Sequence, residues 1–143
     1  MRRFSFKLEK VLKLRKFREE ECKIVLGHAI SALNLIENKI KETAVKRHYA
    51  ASERFKNPLE IQSWDNYIIR LEQDSEKLAG QAAQAELIVE EKRDLYMEAY
   101  KELKAIAKLK EKKLEMYRKE MLDYQINEID ELTSARVAVA STR

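Results

Sequence analysis

The side chains able to do chemistry are few and badly spaced for it. His28 and His48 stand twenty positions apart and share no metal-ligand spacing with each other. Both read as ordinary surface histidines. Cys22 is the single cysteine, so an intrachain disulfide is excluded and a reducing compartment is the simpler setting. It falls on an apolar row and reads as a small packing residue, not a nucleophile. Asp130 and Glu131 are adjacent carboxylates, but neighbouring helical residues diverge, so they cannot share a proton as an acid–base pair. No Gly-rich phosphate loop is present. The expectation is a protein without enzymatic activity and without a cofactor or metal.

The elements that carry these residues explain the poverty of sites. Two glycines (Gly27, Gly80) and one proline (Pro58) among 143 residues cannot punctuate a sheet or a many-helix globule. Charged residues make up 38% of the chain, a profile of coiled coil or long helix. Apolar residues recur by alternating steps of four and three along Leu8, Leu12, Arg15, Glu19, Cys22, Leu26, Ala29, Leu33, Ile36, Ile40, Thr43, Arg47 and Ala50. Such a heptad row needs a partner helix. A second row runs Trp64, Ile68, Leu71, Ser75, Leu78, Ala82, Ala85, Val89, Lys92, Tyr96, Ala99, Leu103 and Ile106. It slips one step through Lys110 and resumes at Leu114, Tyr117, Met121 and Tyr124, a stutter that unwinds a supercoil locally.

Between the rows lies Asn57-Pro58-Leu59-Glu60. Asn suits an N-cap, Pro the first helical position, and Glu three residues on can close a capping box, with Ser63 a second candidate cap. The reading is an all-α, single-domain, two-helix antiparallel coiled-coil hairpin. Helix one covers about 5–55, the loop about 56–60 and helix two about 61–133, with a frayed tail over 134–143. Residue 50 should face about 64, and residue 8 about 106. At 1.5 Å per residue the helices would be ~70 and ~110 Å long, so the second overhangs the first. Residues from about Leu109 to Leu132 then lack an intrachain partner while keeping Leu114, Tyr117, Met121, Tyr124 and Ile129 near one face. That bare stripe asks for another protein.

Charge is unevenly distributed. Residues 1–18 hold eight basic side chains against Glu9, residues 101–119 hold eight against Glu102, Glu111 and Glu115, and 120–132 are acidic. The hairpin pairs the two basic stretches, so like charges should crowd at its open end unless an acidic partner offsets them. The lysines lie among acids with no aromatic stacking platform, which favours a solvated face or an acidic protein over nucleic acid. Tyr49, Phe55, Trp64 and Tyr67 gather near the turn, either closing the coil end or forming a docking patch. No apolar h-region follows the basic start, and no run nears the ~20 apolar residues of a membrane span. The chain reads as cytoplasmic.

The opening Phe4-Ser5-Phe6-Lys7-Leu8-Glu9-Lys10-Val11-Leu12-Lys13-Leu14-Arg15 resembles the start of the flagellar export protein FliJ family: Phe-x-Phe, then Leu-x-x-Val-Leu, then a basic position. Tyr117, Tyr124 and Ile129-Asp130-Glu131 resemble its charged final helix, and Trp64-Asp65-Asn66-Tyr67 a string after the loop of some members. The chain departs at Gln125-Ile126-Asn127, where the family usually carries Glu-Gln-Lys. The resemblance implies a stalk-like part of the flagellar type III export apparatus, similar to the γ stalk of rotary ATP synthases. Its open end would bind the ring of the export ATPase FliI and promote its assembly. Another part would bind the export gate FlhA, and export chaperones are further partners. The resemblance assigns the ring contact to Phe4, Phe6, Leu8, Val11, Leu12 and Arg15, some of which can instead pack on helix two, and to Tyr117, Met121, Tyr124, Ile129, Asp130 and Glu131. It assigns the gate contact to Tyr49, Trp64, Tyr67, Ile68 and Leu71. The place implied is peripheral, at the inner face of the membrane at the flagellar base. Alternatives are the stalk of a virulence-type secretion system, a self-associating scaffold, and a nucleic-acid-binding coil.

Overall fold

The computed structural model describes residues 3–141. Two α-helices, α1 (Glu9–Glu53) and α2 (Ile61–Ser141), are joined by a short 3₁₀ turn over Pro58–Glu60. The fold is all-α, two helices packed on each other, and no strand occurs among the described residues. The turn forms as its sequence dictates. Asn57 is extended, and its Oδ1 accepts the Leu59 N–H at 3.1 Å. Proline then takes the first helical position, where its missing N–H costs nothing. The Asn57 carbonyl accepts from Glu60 N at 3.1 Å. The Glu60 carboxylate does not return the bond to Asn57, so the expected capping box is replaced by this simpler Asn cap.

Contacts divide the chain into two compact units. The first unit is Arg18–Ala99, the turn with its flanking helix arms. Here the two apolar rows meet. Ala50 is fully buried, and Leu71, Ala85, Val89 and Ala99 join it, the alanines allowing close backbone approach. Thr43 is buried too, its hydroxyl satisfied by donating to the Lys39 carbonyl at 2.8 Å. No large side chain is wholly buried, because a two-helix coil covers each row from one side only. Polar contacts bridge the helices: Arg47–Glu72 at 2.9 Å, Arg54–Asp65 at 2.6 Å, and the Tyr96 hydroxyl donating to Glu19 at 3.1 Å.

The second unit joins Met1–Phe17 to Tyr100–Arg143. Its arms are antiparallel: Glu9 meets Lys110 at 3.0 Å and Arg15 meets Glu102 at 3.3 Å. Three expectations change here. Helix one begins at Glu9, not near residue 5, and Phe4 to Phe6 run non-helically along α2. Like charges do not simply crowd, because acids are interleaved and the seam position Lys110 is neutralised by Glu9. α2 also stays helical through Ser141, past the expected end at 133; Ser134 to Ser141 contain no glycine or proline to stop it.

Candidate functional site

The structure brings the candidate residues into three surfaces. The first is the N-terminal strap. Phe6 is 8% exposed, with the Lys113 ammonium 5.9 Å from its ring centre. The Phe4 ring lies 5.5 Å from that of Tyr117. Leu8, Val11, Leu12 and Arg15 are half-buried, and Arg15 is held by Glu102. These side chains are spent largely on α2 itself. They cover Leu114 and Tyr117, so the bare stretch begins later than the expected Leu109.

The second surface is the far end of α2. Met121 is half-buried, and every described residue from Leu122 to Ser141 is exposed. Tyr124, Ile129, Asp130 and Glu131 fall in this stretch. The seam face continues through it by steps of three and four, from Met121 and Tyr124 past Glu128 to Leu132, Ala135 and Val139. Leu132, Ala135, Arg136, Val139 and Ala140 shape a shallow apolar groove of about 520 Å³. The sequence reading stopped at residue 132 because Ala and Val are weak seam markers among serines and threonines. The unbroken spacing at 132, 135 and 139 was the available signal.

The third surface lies beside the turn. Tyr49 packs edge-on to Trp64 at 6.2 Å and Trp64 to Tyr67 at 6.1 Å, with interplanar angles of 76° and 72°. With Glu60 and Ser63 these rings line an open cleft of about 550 Å³. Glu60, Trp64 and Tyr67 follow one another at steps of four and three, which places them on one helical face. Leu71 is buried in the core and Ile68 is half-buried. Of the aromatic quartet, Phe55 stays out, 77% exposed with the Arg54 guanidinium 5.4 Å from its ring centre. Nearby, the Glu53 carboxylate holds Lys56 at 2.6 Å and raises its pKa above the ordinary lysine value, through the hydrogen bond first and the opposite charge second. Sequence reasoning missed Glu60 and Ser63 as cleft residues because the capping role claimed the first and a cap the second.

No cluster of three or more His, Cys, Asp or Glu able to hold a metal occurs among the described residues. Nor is any described helix long and apolar enough to cross a membrane. Cys22 is partly exposed beside Lys92 in an open apolar groove with Ile24, Val25 and Leu95.

The family model described as Flagellar FliJ protein matches residues 4–141. No curated protein and no solved structure matches the chain.

Proposed function

Because the chain belongs to the flagellar FliJ family, we propose that it is a stalk-like adaptor of flagellar type III export, acting by binding and without chemistry of its own. Family membership implies the export role; the partners are our reading. The far end of α2, with the strap beside it, engages the ring of the export ATPase FliI. The turn end, through Tyr49, Trp64 and Tyr67, engages the export gate FlhA, and the chain stays peripheral at the membrane through that contact.

The observation that supports this most is the exposed continuation of the seam face beyond Met121. Tyr124, Leu132 and Val139 are all exposed on a helix whose earlier turns bury Leu71 and Val89 on the same face. Burying such side chains is worth about 1.5–3 kcal/mol each when complete. A helix that carries them past the end of its intrachain partner is suited to insertion into a larger assembly. The acidic residues Asp123, Glu128, Asp130 and Glu131 keep the stretch solvated when nothing covers it.

The test is a chain ending at Met121, which retains the Phe4–Tyr117, Glu9–Lys110 and Arg15–Glu102 contacts. It should fold as the full chain does, by circular dichroism, and lose stimulation of ATP hydrolysis by the export ATPase. Undiminished stimulation removes the far end of α2 from the ring contact. For the gate, Trp64→Ala should abolish retention of the FlhA cytoplasmic domain in a pull-down.

A further inference from the structure

We propose that the cleft beside the turn is a receptor for the cationic head of an arginine or lysine side chain carried by a partner protein. The proposal rests on reading the turn end as a docking surface and names the group that surface accepts. Three aromatic rings meet there at steep angles, so the outer faces of successive rings form walls instead of stacking on each other. Ring faces carry the negative lobe of the aromatic quadrupole. A cation within about 6 Å of a ring centre is drawn to them. Tyr49 remains 58% exposed and Trp64 and Tyr67 are only half-buried, so ring surface is left over on the open side of the cleft.

Glu60 supplies the formal charge. Other carboxylates around the turn already have basic partners: Glu53 holds Lys56, Asp65 holds Arg54 and Glu72 holds Arg47. Glu60 makes no ion pair among the described residues, and its capping role is not taken up. The chain's own cations occupy other rings. Arg54 sits over Phe55, Lys104 over Tyr100 and Lys113 over Phe6, at 5.4–5.9 Å. Among the described residues none is placed so over Tyr49, Trp64 or Tyr67. Lys56, on the turn, is held by the Glu53 carboxylate at 2.6 Å. An apolar or anionic guest would desolvate the Glu60 carboxylate with nothing in return. A guanidinium or ammonium satisfies it, lays its aliphatic stem along Trp64 and can take the Ser63 hydroxyl as an acceptor.

Trp64 is the single tryptophan, so its indole N–H gives one assignable NMR signal in the cleft. The full chain is titrated with a blocked Gly-Gly-Arg-Gly-Gly peptide and with the same peptide carrying neutral citrulline. The arginine peptide should shift the indole signal saturably, the citrulline peptide much less, and Glu60→Gln should weaken arginine binding roughly two- to fivefold. Equal response to both peptides, no saturable shift with arginine, or displacement of the arginine peptide by phosphatidylcholine vesicles would overturn the proposal, the last reassigning the cleft to a choline headgroup. Retention of the gate domain separates the two readings. If arginine is held but the gate domain is not, the gate reading fails alone. If Glu60→Gln binds the gate domain as tightly as the parent chain, the cation reading fails alone.

Discussion

One helix, α2, carries two stretches of similar amphipathic pattern with opposite fates. Between Trp64 and Ile106 every row position is buried or half-buried; between Leu122 and Ser141 every residue is exposed. Leu71 is 6% exposed and Leu132 is 68% exposed, although both sit on the seam face. The difference lies in what is opposite: α1 faces the first stretch, and it begins only at Glu9, with the strap covering α2 as far as Tyr117. An apolar row is thus a statement that a partner is wanted, and it does not say whether the partner is in the same chain. Where the chain supplies it, the row gives stability; where it does not, the row is available for assembly.

The sharpest way to break that comparison is to put the same charge into both stretches. Leu71→Asp buries an unpaired carboxylate and should cost more than about 3 kcal/mol, enough to lower the thermal midpoint by many degrees. Leu132→Asp should change stability by less than about 0.5 kcal/mol. Comparable losses in thermal melts would mean that the far end of α2 is packed in the free chain. Phe6→Ala probes the boundary between the stretches. It should cost about 2 kcal/mol of strap docking and speed amide exchange over residues 110–117, leaving the turn end unchanged. Uniform exchange along α2 would show that the strap does not guard this segment. The smallest effect sharpens the paired stretch. A methyl group added at Gly80 meets nothing within 4 Å. Gly80→Ala should therefore stabilise by about 0.5–1 kcal/mol through helix propensity alone; a lowered midpoint would place an unseen contact there.

Much of the fold was legible in the amino-acid order. The rows from Leu8 to Ala50 and from Trp64 to Ile106 are the faces that pack, Arg47 being the one row member left exposed. Arg47 lies outside because its long cationic side chain pairs with Glu72 at the edge. Phe4 and Phe6 were legible as important residues but not as a strap, since two aromatics ahead of a helix can equally begin it. Glu60 was misread because an acid three residues after Asn57 fits a local rule, and local rules are silent about what lies across the turn. The aromatic quartet divided for the same reason: Tyr49, Trp64 and Tyr67 are brought together by the fold-back, while Phe55, on the turn itself, points away.

By itself the sequence determined two long helices, one turn at Asn57-Pro58 and a second helix longer than the first. Those follow from residue spacing and backbone propensity, which act within a few residues. Only the tertiary structure decided the register of the arms, the docking of Phe4 and Phe6 on α2, and the meeting of three rings and a carboxylate beside the turn. These depend on where the chain reverses, because the reversal sets which side chains, far apart in sequence, come within reach of one another.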